Sequence, residues 1–403
     1  MKIRPLLPAL LAAAIPACAS QPASLPALDY RGLYLFIDPR ATPQRMPKLY
    51  HDCITALANP DIDGATIIVR WSDLYPAAGP GPRNYDWAML DRWVGRIAGI
   101  GKKLSLGVVA GSDAPAWLFQ PPDSVPAHRF TFNAGPVANH RGITRLLPSP
   151  WDPVFLRRYD EMIADLSRHL RAIGAYEAVR IVKFEGLNSI TEELGVGATR
   201  KVDYDFPLDN SEYLTEGWAK AGLTPDRILH AWKDTTEHIA AAFPDKLLSV
   251  DILQNYAGFP PIDNAGRIVA QPPGGTDAIT ADLIERTLRP GPDRPGYYGR
   301  FSVQWDALSN RPNLTDPEVL RAGKMGAPIA WQMNCRMGAD LGSGFVDPDG
   351  SFRPCRTADE YRAMLDNGID LGGEFIEVFA ANVVQFPAAL HEPHRRILRE
   401  AAR

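Results

Sequence analysis

The alternation of apolar and polar positions repeats one theme eight times along the chain. A short apolar run, often with β-branched residues, ends in a polar loop, and in most repeats a stretch with helical spacing follows. The runs fall at residues 32–38, 64–70, 103–109, 179–185, 247–253, 301–305, 328–333 and 374–379. Helical spacing covers residues 43–58, 85–100, 153–173, 224–242, 357–367 and 387–402. Leu90, Trp93, Val94 and Ile97 share one helix face, Thr224-Pro225 reads as a cap and first position, and Gly368 closes the fifth of these helices. Residues 120–150 show no period and read as a long irregular connection.

Eight short strands interleaved with helices predict an α/β fold, a (β/α)8 TIM barrel in a single domain, rather than a sandwich. An open doubly wound sheet is the alternative, but it would carry a glycine-rich first strand-to-helix turn, which is missing here. The 403 residues are 45% hydrophobic with a net charge of −4, so no basic excess favours a nucleic-acid partner.

The N-terminus carries a processing pattern. Lys2 and Arg4 precede an apolar run over residues 6–17, too short to span a bilayer, and Ala17-Cys18-Ala19-Ser20 follows. Two readings stay open: a cleaved secretory signal, or a lipoprotein signal in which a lipidated Cys18 gives the chain its membrane attachment. Both predict export, to the periplasm, the medium or the outer membrane. Residues 1–25 are therefore set apart as signal and leader, and residues 26–403 as the barrel domain. In an oxidising compartment Cys335 and Cys355, which bracket a Gly- and Asp-rich loop, are the candidate disulfide, while Cys53 in a helix reads as a buried apolar residue. No spacing of Cys and His suggests zinc. Asp347-Pro348-Asp349-Gly350 lacks the distal Glu of a calcium loop, so neither metal nor cofactor is expected.

Barrel enzymes carry their chemistry where strands end and loops begin. The fourth run breaks at Gly186 into a polar loop with Asn188, Ser189, Thr191, Glu192 and Glu193, and Glu185 stands within the run itself. Glu377 lies in the eighth run on the same side as Phe375 and Phe379, where a charge needs a partner or a function; Arg70, ending the second run, is the obvious partner. Asp38 and Asp113 end or follow other strands. Trp71, Trp117, Trp305 and Trp331 fall at or just past strand ends, where aromatic rings suit the C–H faces of sugars, although core packing is the default for each. Gln254, Asn255, Gln304, Gln332 and Asn334, also near strand ends, suit the hydroxyls of a neutral polyol.

Some of these residues form a familiar pattern. Val69-Arg70-Trp71-Ser72-Asp73-Leu74-Tyr75-Pro76, then Tyr85-Asp86-Trp87 and Leu90-Asp91, resembles the second strand–helix unit of clan-A-type glycoside hydrolases, the β-galactosidase-like and cellulase-like barrels. Residues 102–111, followed by Pro115-Ala116-Trp117-Leu118, are similar to their third unit. The resemblance implies a carbohydrate substrate, an Arg70 that orients the nucleophile, and two catalytic carboxylates, one after strand four and one on strand seven. Glu192 or Glu193 fits the first, with Asn188 four residues before Glu192 rather than directly before the acid. Strand seven offers only Gln332, so the second role shifts to Glu377 on strand eight. Strands four and eight face each other across a barrel, and acids there would leave room for a water, the inverting arrangement. The rival expectation is a non-catalytic carbohydrate-binding barrel in which Gln332 marks the lost acid. A barrel hydrolase acting on peptidoglycan is a third.

Overall fold

The computed structural model describes residues 29–75, 81, 83–132, 143–188, 192–196, 211–252, 258–270, 278–290, 296–297, 299–333 and 344–400. The central element is a closed barrel of eight parallel strands: β1 Gly32–Ile37, β2 Gly64–Arg70, β3 Lys103–Val109, β4 Val179–Lys183, β5 Leu247–Ile252, β6 Phe301–Leu308, β7 Ile329–Met333 and β8 Gly373–Phe379. Each strand pairs with its neighbour in sequence, and β8 returns to β1 with Tyr34 opposite Glu377. The (β/α)8 TIM-barrel expectation holds, strand for strand.

The helices are α1 Pro47–Leu57, α2 Ala88–Gly99, α3 Pro153–Ala172, α4 Ser211–Ala221, α5 Pro225–Ala242, α6 Ala278–Leu288, α7 Pro317–Lys324, α8 Ala358–Asp370, α9 Ala380–Gln385 and α10 His391–Glu400. Their starts follow local chemistry. Asp152 accepts from the Val154 and Phe155 amides ahead of α3, and Thr224 accepts from the Arg227 amide ahead of α5. The connection over residues 120–150 is not irregular throughout. It contains an antiparallel pair, Ala127–Phe132 with Ile143–Pro148.

Strand parity divides the core in two. One set of side chains packs between strands and helices, among them Val69, Val108, Val250, Val303, Trp331 and Val378. The alternate set points into the barrel. At its base Tyr34, Ile181, Leu247, Ala330 and Phe375 form a small apolar cluster with Tyr30. Above it the interior turns polar: Thr66, Ser105, Lys183, Ser249, Ser302, Gln304, Gln332 and Glu377 are all buried. Barrel interiors are usually filled by branched apolar residues. Here the middle layer must instead close its own hydrogen bonds, since buried polar groups left unpaired are costly. Gly107 on β3 makes room for it, because a Cβ there would lie 2.8 Å from both Lys183 Cβ and Glu185 Cγ.

Candidate active site

Lys183 is the hub of the polar layer. Its ammonium reaches both oxygens of Asp251 at 2.8 Å, Gln304 Oε1 at 2.8 Å and Glu377 Oε1 at 2.9 Å. Thr66 Oγ1 donates to Glu377 Oε1 at 2.6 Å, and Gln304 Nε2 and Gln332 Nε2 donate to Glu377 Oε2 at 2.9 and 3.1 Å. Glu377 is fully buried, and these four contacts occupy both of its oxygens. It is a structural member of the network rather than a base or nucleophile open to substrate. Its cation is Lys183 and not Arg70, which lies 3.7 Å from Asp113 at the rim.

Two residues further along three strands, the same inward parity places Glu185 above Lys183, Asp251 above Ser249, and Asp306 above Gln304. The loop after β4 folds back over them. Asn188 bridges to Leu194, its Oδ1 accepts from the Ala110 amide at 3.1 Å, and the Leu194 amide donates to the Asp251 carbonyl at 2.8 Å. Gly195 has φ +135°, and a Cβ on it would strike the Gly258 backbone, so the fold of the loop depends on glycine there. This clip brings Glu192 and Glu193 to Asp306, with a carboxylate oxygen of each within 4.8 Å of the others.

Four carboxyl groups thus act on the Lys183 ammonium, those of Asp251, Glu377, Asp306 and Glu185, and Glu192 and Glu193 adjoin Asp306. They cannot all be ionised. Burial pushes Asp251 up to about 7, with Lys183 opposing and Glu377 adding to the rise. Burial, then the neighbouring Asp251, drives both Glu185 and Asp306 well above the ordinary carboxylate range. Lys183 itself, although desolvation works against its charge, is held above the usual lysine value by Asp251 and Glu377. The site therefore sets acids raised by burial beside the loop glutamates, a grouping of the kind that acid–base catalysis uses. Glu192, Glu193 and Asp306 also make an all-oxygen donor set of the kind that hard divalent cations take.

The aromatic expectations are overturned by geometry. Trp71 is fully buried edge-on to Trp117, Phe155 and Tyr159, between the barrel and α3. Trp331 donates Nε1 to the Gly368 carbonyl at 2.7 Å, filling space that Gly373 leaves open, and Trp305 packs edge-on to it. None of Trp71, Trp117, Trp305 and Trp331 is more than 7% exposed, so they build the core rather than line a cleft. Gln304 and Gln332 serve the interior network, and Asn188 shapes the loop. Asp113 lies at the rim beside Arg70. Gln254, Asn255, Asn334 and Cys335 lie outside the described residues, as does Cys18; Cys355 is disulfide-bonded and Cys53 is free and buried.

The barrel has known counterparts. It shares its fold with the catalytic domain of a β-amylase from Paenibacillus polymyxa, at a TM-score of 0.52 and 11% identity over 92% of this chain and 99% of that one. Other neighbours are an intracellular xylanase from Thermoanaerobacterium saccharolyticum (TM-score 0.44, 14% identity, 89% of each chain) and an exo-β-1,4-mannosidase from Opitutaceae bacterium strain TAV5 (0.45, 13%, 93% of this chain and 60% of that one). No family model and no curated sequence matches the chain. At 11% identity the likeness to the β-amylase domain is one of fold, and that fold is the (β/α)8 barrel.

Lys183, Asp251 and Asp306 were not apparent as candidates from the sequence. Their signal is parity: Lys183-x-Glu185, Ser249-x-Asp251 and Gln304-x-Asp306 are polar pairs two apart inside apolar strands.

Proposed function

We propose that the protein is an exported glycoside hydrolase whose carboxylate pair is formed by Asp306 and one of Glu192 and Glu193. The observation that carries this reading is the approach of these three carboxyl groups to within 4.8 Å at the mouth of the barrel, where burial raises Asp306 well above the ordinary carboxylate range. Asp306 would give a proton to the leaving glycosidic oxygen, and the loop glutamate would act at the anomeric carbon. Carboxyl groups about 5 to 5.5 Å apart belong to retaining enzymes, whereas inversion needs roughly 6.5 to 9.5 Å. The close grouping supports retention, against the inversion expected for a pair of Glu192 and Glu377. Glu377 becomes the buried counter-ion that holds Lys183. The signal-like N-terminus and the disulfide at Cys355 support export, since disulfides persist in oxidising compartments.

One observation favours a second reading, a barrel that binds carbohydrate without cleaving it: the β7 position that would carry an acid holds Gln332, committed to Glu377. Incubating the protein with a glycan panel separates the two by release of reducing ends against saturable binding alone. In an active protein, Asp306→Asn and one of Glu192→Gln and Glu193→Gln should each lower kcat by about 100- to 10,000-fold. Full activity in Asp306→Asn, or in both loop variants, would sink the assignment.

A further inference from the structure

A second group of ligating side chains lies away from the barrel mouth, where α3 packs against α5. Asp160 on α3 meets Asp234 and His238 on α5, with His238 Nδ1 at 3.1 Å from Asp160 Oδ2 and 3.7 Å from Asp234 Oδ1. One donor atom from each of the three lies within 4.8 Å of the other two. A cavity of about 460 Å³ opens on them, lined also by His230 and Trp151. His230, Asp234 and His238 are spaced four apart, so they follow one face of α5 over two turns.

Asp160 sets this group apart from a chance surface cluster. Its side chain is only 10% exposed, yet its Oδ1 is buried with no hydrogen-bond partner. A buried carboxylate oxygen left in this state is costly unless something binds it. His238 reaches only Oδ2, and the neighbouring Arg157 is turned to Asp123 at 3.9 Å.

We propose that Asp160, Asp234 and His238 form a zinc-class transition-metal site that ties α3 to α5, with the cavity side of the ion left to water. Mixed imidazole and carboxylate donors suit zinc rather than calcium or magnesium. Ligand atoms about 2.1 Å from a tetrahedral ion stand roughly 3.4 Å apart, and the 3.1 and 3.7 Å separations bracket that figure. His238 Nδ1 also lies 2.8 Å from the Asp234 carbonyl, so metal capture through Nδ1 would exchange that contact for the ion and leave the ring proton on Nε2. Cys/His zinc spacing is missing from the chain because the donors come from two helices, with Asp160 more than seventy residues before Asp234 and His238.

The test uses untagged, chelator-stripped protein titrated with zinc chloride by calorimetry, alongside thermal melts. Expected are one ion per chain and a raised Tm. His238→Ala, which alters a half-exposed ring, should fold normally in the absence of metal and lose at least about tenfold in affinity, as should Asp234→Asn. Glu192→Gln at the barrel mouth should keep the zinc affinity of the wild type. The proposal is overturned if wild type shows no saturable zinc binding, if His238→Ala binds as tightly as wild type, or if Glu192→Gln is the variant that loses the ion.

Discussion

Replacing Lys183 with Met tests the electrostatic core of the site. The ammonium makes four contacts of 2.8–2.9 Å and is fully buried, so the variant keeps much of the side-chain volume while stranding Asp251 and Glu377. Removing one partner of a buried pair costs about 3–5 kcal/mol, because the charge left behind has lost both water and counter-ion. The loss must depend on pH. Asp251 already stands at about 7 with Lys183 beside it, against 3.8 ordinarily, and without that cation it rises further. A carboxyl raised in the folded state binds more protons there than in the unfolded chain, so ∂ΔG/∂pH of unfolding is negative between the two values. Stability therefore declines as pH rises through that window, and the variant declines further than wild type. Urea unfolding of both proteins at pH 5, 7 and 8.5 should show a deficit of about 3–5 kcal/mol at pH 7 that shrinks at pH 5 and widens at 8.5. A deficit under about 1 kcal/mol at pH 7, or one independent of pH, would refute the hub role given to Lys183.

Three further outcomes follow from the same geometry. Gly107→Ala puts a methyl 2.8 Å from Lys183 Cβ and Glu185 Cγ inside the barrel, and should cost about 1–3 kcal/mol in urea unfolding; a change within about 0.5 kcal/mol would contradict the tight packing described for this layer. His394 lies between Asp63 and Asp61 at the other end of β1 and β2, and its hydrogen bond to Asp63 raises its pKa above 6.5. Its contribution is complete below pH 6.5 and fades as pH rises through the raised value, so His394→Gln should remove that part of the pH dependence; an unchanged stability–pH curve would speak against it. Trp331→Phe loses the bond to Gly368 and should lower stability by about 1 kcal/mol while leaving KM for any cleaved glycan unchanged; a higher KM at full stability would return Trp331 to the cleft.

The strands were legible because barrel strands are buried on both faces and read as near-continuous apolar runs. Ala127–Phe132 and Ile143–Pro148 escaped notice because ten residues separate them within a proline-containing stretch, which hides the hairpin signal. Helices α4, α6 and α7 were not singled out; α7 has only eight residues, little more than two turns of periodicity. At the site, position along a strand was legible and side was not. Trp305 and Trp331 end strands as expected, but their neighbours Gln304 and Gln332 take the inward parity, which sends both indoles to the helix layer. The same parity carries Asp306 inward from a run that reads as buried strand.

The missing strand-seven acid looks different once the polar layer is known. Gln332 Nε2 stands 3.1 Å from Glu377 Oε2, so a glutamate in its place would set two carboxylates almost in contact, with Lys183 already shared between Asp251 and Glu377. Such a pair cannot both ionise, and Glu377 would lose one of the donors that fix it. An amide at this position therefore fits a network whose one buried ammonium is fully committed below the mouth. Lys183 also works to lower Glu185 and Asp306, but burial and the neighbouring Asp251 outweigh it and hold both well above the ordinary carboxylate range. The raised acid proposed for catalysis thus sits over a layer in which Lys183 makes its direct contacts to Asp251, Gln304 and Glu377.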